Sequence, residues 1–323
     1  MTVSAPILNI AILCHNHKDF IENCLNSLLC QNTEYNYKII ILDDFSTDGT
    51  REILEKIANS HSDKIKLILN EKNIGALNSA KILAQNVNAK YLCFLDGDDY
   101  WCNENKIQTQ IDFLENNTDY AGCFHDAKIE QYNKSNDDNF NKRTQIHWKT
   151  YSQFNRYVED FMPWDLLVRN IIPTASLIFR NQNILKFLKD YPATALSLSW
   201  ALHLEIIKNS KFKYFNEIWS VYNDHPKGAS KNYDIIEFKK NNIKVLENLL
   251  KDSAWEYYNY EIYNTICNEY RFILKSKTEL EKPRKEYINS LKEYEKYLKL
   301  SKKLNLSQLK KDYYYVRNNG LVE

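Results

Sequence analysis

Tyr91-Leu92-Cys93-Phe94-Leu95-Asp96-Gly97-Asp98-Asp99-Tyr100-Trp101 is the stretch that decides how the chain is read. Its first five residues are an almost unbroken apolar run, the pattern of a strand buried on both faces. The run stops abruptly in three carboxylates around one glycine. Carboxylates crowded at a strand end repel one another and resist desolvation unless something positive sits among them. A hard divalent cation with oxygen ligands, its shell completed by substrate phosphates, is the simplest neutraliser. Gly97 is expected to let the backbone turn sharply and to keep the space beside the ion clear. A plain turn built from Asp and Gly explains the stretch equally well on its own.

Working outward, the same strand-then-polar pattern recurs on the N-terminal side. Ile7–Leu13 reads as a first strand running into Cys14-His15-Asn16-His17. Asp19–Cys30 carries apolar residues at helical spacing. Lys38–Leu42 is a second buried strand that ends in Asp43-Asp44, and Ser46-Thr47-Asp48-Gly49 supplies turn and cap chemistry for a following helix. Ile65–Leu69 is a third strand, and Leu77–Gln85 a third helix. Strand and helix alternating without hairpins predicts a parallel, doubly wound sheet. Ligands of such sheets sit at the C-terminal strand ends, where Asn16, Asp43-Asp44 and Asp96–Asp99 all fall.

Composition narrows the function classes. The 323 residues exceed one average domain, and 44% hydrophobic content supports a large core. A formal net charge of +1 gives no global pull toward nucleic acid. Seven cysteines without a C-x-x-C pair indicate neither a zinc site nor a disulfide framework, which fits a reducing cytoplasm. The apolar opening is too short for a membrane span and lacks the basic start of a signal peptide. Only six glycines occur, and none forms a G-x-G-x-x-G or P-loop cradle. A diphosphate ligand would therefore need a cation and side chains to neutralise it.

Taken together, these motifs resemble those of family 2 glycosyltransferases of the bacterial surface-glycan type, which have the GT-A fold. Leu13-Cys14-His15-Asn16 stands where the family commonly has Pro-Thr-Tyr-Asn. Asp43-Asp44-Phe45-Ser46-Thr47-Asp48-Gly49-Thr50 differs from Asp-Asp-Gly-Ser-Thr-Asp-Gly-Thr only by Phe for Gly. Asn73-Ile74-Gly75 and Ala80-Lys81 follow in order, with Lys in place of Arg, and then Asp96-Gly97-Asp98. The resemblance implies an α/β GT-A fold with a C-terminal helical extension. It implies a nucleotide-sugar-binding half over 1–125, an acceptor-binding half over 126–232 and a helical region over 233–323. By the same resemblance Asp43 and Asp44 read the uracil of a UDP-sugar, and Asn16, Lys81, Asp96 and Gly97 line the donor site. Asp96 and Asp98 handle ribose and the metal-diphosphate, the metal being Mn²⁺ or Mg²⁺.

The second half carries weaker matches. Asn170–Arg180 resembles the family's acceptor-side strand, with Thr174 and Ser176 as candidate acceptor contacts; a capped strand start explains the same residues. Many relatives then place Gly-Asp-Trp at a helix start, with the Asp as general base; this chain has Leu198-Ser199-Trp200. A serine hydroxyl cannot take a proton as a carboxylate does. Ser199 thus marks the base position without the base. Asp190, His203 and Glu205 are the alternatives nearby, and Trp200 is a further acceptor candidate. Tyr222-Asn223-Asp224-His225 matches the family's Tyr-Arg-x-His and makes His225 a third metal or diphosphate contact. Gln131–Arg143 is polar and aperiodic and reads as a loop or flap. Irregular aromatics over Trp148–Trp164 suit either sugar stacking or core packing. The Lys-rich stretch Lys282–Lys311 reads as a helical bundle or a basic surface for anionic lipid. The expected function is metal-dependent, inverting transfer of a sugar to a glycan or lipid-linked acceptor. The place of action is the cytoplasm, or the inner face of the membrane. The alternative is a nucleotide-sugar-binding protein that has lost transfer. A sugar nucleotidyltransferase is disfavoured by the missing glycine-rich phosphate loop.

Overall fold

Apolar runs such as Leu8–Cys14 and Tyr91–Leu95 have no polar face to offer water, so each must lie inside a sheet covered on both sides. The computed structural model describes residues 5–134, 140–142, 149–150, 159–182, 184–191, 196–228, 231, 234–276 and 288–303, and places both runs in this way. The strands in chain order are β1 (Leu8–Cys14), β2 (Tyr37–Asp43), β3 (Ile65–Leu69), β4 (Tyr91–Asp96), β5 (Tyr100–Trp101) and β6 (Tyr120–Lys134). They continue with β7 (Phe140–Lys142), β8 (Lys149–Thr150), β9 (Asp160–Phe161), β10 (Ile178–Arg180) and β11 (Lys211–Asp224). The main sheet runs in the order β3-β2-β1-β4-β10-β6-β11-β5. β1 is parallel to both β2 and β4, and β2 to β3. β10 enters antiparallel between β4 and β6, and β11 returns parallel to β6.

Helices α1 (Ile21–Leu29), α2 (Thr50–Ser60), α3 (Ala76–Gln85) and α4 (Lys106–Asn116) alternate with the first strands. Their apolar residues fall at helical spacing, and Cys24, Leu25, Leu28, Leu54, Ile107, Ile111 and Leu114 are buried against the sheet. Chain direction reverses on the sheet between β1 and β4. β1 feeds β2 and β3 on one side, and the chain then crosses back to lay β4 on the other. That switch point opens the crevice beyond the C-terminal strand ends where such sheets bind ligands.

The chain divides into two compact units. The first comprises 1–162, 171–193 and 205–231 and holds the whole sheet. The second comprises 163–170, 194–204 and 232–323. In this second unit α5 (Pro163–Leu167), α8 (Ile235–Leu249) and α9 (Asn259–Lys275) pack together over a fully buried Trp255. The first unit also holds α6 (Ile184–Asp190); α7 spans Leu198–Ile207 and a tenth helix, α10, spans 288–303. Asp234 caps α8 by accepting from the Ile236 and Glu237 N–H groups.

One expectation changes. Residues 131–134 of the supposed flap are strand: β6 continues to Lys134, and β7 pairs back on it with Tyr132 opposite Lys142. β11 pairs with the strand as far as Gln131 and β7 pairs with Tyr132–Lys134, a ladder that local periodicity could not show. Residues 135–139 and 143 lie outside the described residues, as do 148 and 151–158 of the aromatic stretch and 282–287 and 304–311 of the Lys-rich one. Gly97 lies in a turn closed by Asp99 N–H on Asp96 O, outside the left-handed region that Gly49 and Gly75 occupy. Its value lies in space: a Cβ at Gly97 would stand 2.8 Å from His17 Nδ1 and 3.1 Å from Cys14 Sγ. No helix among the described residues is long and apolar enough to cross a membrane.

Candidate active site

Four strand ends of the first unit meet around the switch point. At the end of β2, Asp43 is fully buried and accepts from Ser46 N–H (3.0 Å), Ser46 Oγ and Arg51 Nε (2.6 Å). Its neighbour Asp44 accepts from Asn70 Nδ2 (2.9 Å), Ile74 N–H (2.9 Å) and Gly75 N–H (2.8 Å). Asp44 therefore fixes the loop between β3 and α3. A carboxylate has about four acceptor positions, so each of these two keeps roughly one open after its three bonds. At the end of β1, Asn16 takes a positive φ of 58° and receives the Thr47 N–H on its Oδ1 at 2.8 Å. Asn16 so ties β1 to the turn after β2. Lys81 is half-exposed on α3.

The β4 end holds the carboxylate cluster. Asp99 N–H donates to Asp96 O (3.0 Å) and Gly97 N–H to Leu13 O (3.0 Å), which closes the turn against β1. Asp99 is buried and accepts the Asn223 N–H at 3.0 Å, and Asn223 Nδ2 donates to Asp98 O. β11 is thereby latched to the cluster. The Asp98 carboxylate meets two imidazoles: His225 Nε2 at 3.0 Å and His17 Nε2 at 3.7 Å from its Oδ2. The Phe20 ring stacks on the His225 ring at 4.6 Å between centroids and fixes its plane.

Electrostatics agree with the geometry. Burial, then the neighbouring Asp98, pushes Asp96 up to about 7. Burial, then Asp98 and Asp96, raises Asp99 well above the carboxylate range. Burial pushes Asp98 up as well, but His17 and His225 beside it outweigh that and hold it low. Burial lowers His17, against the opposing pull of Asp98. Ionising all three carboxylates would place more negative charge here than the surroundings offset, and a cation or a proton would neutralise it.

The donor set fits a cation that arrives with a phosphate ligand. Asp98 Oδ2 and His225 Nε2 converge at 3.0 Å, and a hard cation bound with substrate phosphates needs only one or two protein carboxylates. Among the described residues no group of three or more His, Cys, Asp and Glu is arranged as an all-protein cage. Asp96 adjoins the pair, its ionisation held back by the charge of Asp98.

The residues expected on the acceptor side stand as follows. Thr174 and Ser176 lie on a 3₁₀ turn leading into β10; Thr174 is half-buried, while Ser176 is fully buried and donates to Pro173 O at 2.7 Å. In the second unit, Trp200 is buried with its Nε1–H on Leu166 O (2.7 Å). Ser199 Oγ accepts from Asn170 Nδ2 at 3.3 Å, and His203 Nδ1 meets Asn170 Oδ1 at 3.0 Å. Burial lowers His203 to about 3, which removes it as a base near neutral pH. Glu205 is paired with Lys208 at 2.7 Å, and Asp190 is exposed at the end of α6. His17, Phe20 and Asn223 were not singled out from sequence. The Cys14-His15-Asn16-His17 run offered two histidines, but only the fold shows which one reaches Asp98.

The family model described as glycosyl transferase family 2 matches residues 9–182, more than half of the chain, and takes in the ends of β1, β2 and β4. The chain belongs to glycosyl transferase family 2. It is 27% identical over 221 residues to the uncharacterized protein Rv1520 of Mycobacterium tuberculosis, covering 68% of this chain and 60% of that protein. It is 41% identical over 109 residues to WfaP of Escherichia coli, named UDP-Glc:alpha-D-GlcNAc-diphosphoundecaprenol beta-1,3-glucosyltransferase, covering 34% of this chain and 41% of WfaP. The alignment thus spans about three fifths or less of the length of these relatives. The structure of Staphylococcus aureus TarS 1–349 in complex with UDP-GlcNAc superposes with a TM-score of 0.66 at 17% identity, over 90% of this chain and 81% of that one. At that identity the likeness is one of fold, and the fold of this family 2 chain is GT-A.

Proposed function

We propose that this family 2 chain transfers a sugar from a UDP-sugar to a hydroxyl of a glycan or lipid-linked acceptor, with a divalent cation and with inversion. The observation that carries the reading is the convergence of Asp98 and His225 at 3.0 Å beside the β1/β4 switch point. Asp98, held low in pKa, is ready as an anionic ligand, and Phe20 stacking keeps His225 aimed at it. These two residues would hold Mn²⁺ or Mg²⁺, which when bound stabilises negative charge on a departing diphosphate. Asp43 and Asp44 each keep an acceptor position suited to the N3–H of uracil. Latching of β11 by Asp99 and Asn223 sets the position of His225 relative to β4. The UDP-glucose named for WfaP and the UDP-GlcNAc bound to TarS support the choice of nucleotide. A surface-glycan acceptor and action in the cytoplasm, with or without contact to the inner membrane face, belong to the same proposal.

A second reading, a nucleotide-sugar-binding protein without efficient transfer, is favoured by Ser199. Its hydroxyl rests on Asn170 where relatives have a carboxylate, so base assistance worth about 10²–10⁴-fold is missing at that position. A donor screen that follows nucleotide diphosphate release with and without acceptor separates the two. Release from a UDP-sugar that accelerates with acceptor supports the enzyme. UDP-sugar binding without release, together with a Ser199→Asp gain in kcat at unchanged donor affinity, supports the second reading. Release from GDP- or CDP-sugars at equal rates would contradict the uracil assignment.

A further inference from the structure

Phe45 stands on backbone that favours glycine. Its φ is +63°, in the left-handed region where a bulky side chain is an outlier. The turn imposes this value from both sides. Asp44 N–H donates to Cys14 O at 2.8 Å, and the Asp44 carboxylate is held by the Ile74 and Gly75 N–H groups. On the other side, Ser46 N–H donates to Asp43 at 3.0 Å, and Ser46 Oγ accepts from Asn16 N–H at 2.8 Å. With both neighbours tied, residue 45 must take the φ that closes the turn. Glycine would take it without strain.

The phenyl ring does not offset that strain by burial, because Phe45 is 39% exposed. It is nonetheless held. The Arg51 guanidinium lies 5.2 Å from the ring centroid and is itself fixed by Asp43 at 2.6 Å. A strained residue kept in place by surroundings that over-determine it points to a role beyond folding. A second exposed ring stands next to it. His15 Nδ1–H donates to Asp44 O at 2.8 Å, and its Nε2 accepts from Asn16 Nδ2 (3.2 Å) and Asn73 Nδ2 (3.3 Å). Asp44 is thus flanked by an aromatic ring that follows it in the chain and an imidazole bound to its carbonyl. A pyrimidine that gave its N3–H to Asp43 or Asp44 would still have two flat faces to cover, and aromatic rings cover base faces well.

We propose that Phe45 is a nucleobase-contact residue whose ring packs on the pyrimidine of the donor, an inference that rests on reading these strand ends as a UDP-sugar site. The test titrates uridine, UDP and inorganic diphosphate, with Mn²⁺ present, into the wild type and into Phe45→Gly, Phe45→Leu and Phe45→Tyr. Phe45→Gly melts higher than the wild type because the strain is gone, yet binds both uridine and UDP about tenfold more weakly, or about 1.4 kcal/mol. Phe45→Leu loses as much, Phe45→Tyr retains wild-type affinity, and diphosphate binds all four alike. UDP bound equally by wild type and Phe45→Gly overturns the base contact and leaves the UDP site standing. An equal loss for diphosphate and UDP overturns it too, by showing a general disturbance of the site. A wild type that binds no UDP takes down both the contact and the reading beneath it.

Discussion

Gly97 shows how tightly single residues constrain this site. Its hydrogen occupies the only space available between His17, Cys14 and Ile21. A methyl group there would meet His17 Nδ1 at 2.8 Å and displace the ring from its 3.7 Å approach to Asp98. Gly97→Ala should therefore lower stability by about 1–3 kcal/mol, the usual cost of overpacking, and should also weaken Mn²⁺-dependent UDP binding. Thermal melting and calorimetry on the same preparation check this; unchanged values in both would mean the His17 ring has room to move. Sequence reading valued Gly97 for a turn and for open space beside an ion; that His17, Cys14 and Ile21 bound the space could not be read, because contacts with residues about eighty positions away have no local signature. His17 was hidden for the same cause. Asp96 and Asp98 stood out because charge at the end of an apolar run is a local pattern, and His225 through the resemblance of Tyr222–His225 to the family's Tyr-Arg-x-His.

At the scale of elements, β1 to β4 and their helices could be read from periodicity, since each is a local run bounded by turn residues. β6 and β11 could be read only in part. Their long ladder depends on pairing partners far apart in sequence, and its register shifts near Phe215 and Ile218 break the alternation. Helix α4 carries a feature that amphipathic spacing also concealed. Lys106 is fully buried, its Nζ makes no hydrogen bond, and it sits 3.9 Å over the Trp101 ring. Burial lowers this lysine to about 8, from an unfolded value of about 10.4. Above about pH 10.4 neither state is charged at this position. Between the two values the unfolded chain holds a proton the folded one lacks, so stability falls as pH drops toward 8, and the penalty is fully present at pH 7. Lys106→Met removes the penalty but also the cation–π contact. The net gain at pH 7 should be on the order of 2 kcal/mol, and it should shrink as pH is raised toward 10. Urea denaturation at pH 7 and pH 10 measures it, and a loss of stability at pH 7 would show that the ammonium is better solvated than its burial implies.

For the whole molecule, each unit holds a histidine that folding keeps neutral. Burial, aided by the charge of Lys106, lowers His125 well below its usual range, and burial lowers His203 to about 3. Below about pH 6.5 the unfolded chain protonates both while the folded chain does not, so stability declines as pH falls. His203 should contribute about 1.4 kcal/mol per pH unit, or about 2.7 kcal/mol between pH 6 and pH 4, and His125 acts in the same direction. His125→Gln and His203→Gln should each flatten the acid limb of a stability–pH curve, and an unchanged limb in both would assign acid sensitivity to other groups. The central claim concerns the strand ends of the first unit, as a site where Asp98 and His225 take a cation together with UDP. The most direct measurement is calorimetric titration of UDP into the wild type and Asp98→Ala, each with Mn²⁺ and with chelator. The wild type should bind UDP at least tenfold more tightly with Mn²⁺ than with chelator, and Asp98→Ala should lose that difference while still folding and melting cooperatively. Equal UDP affinity in all four titrations would contradict the account.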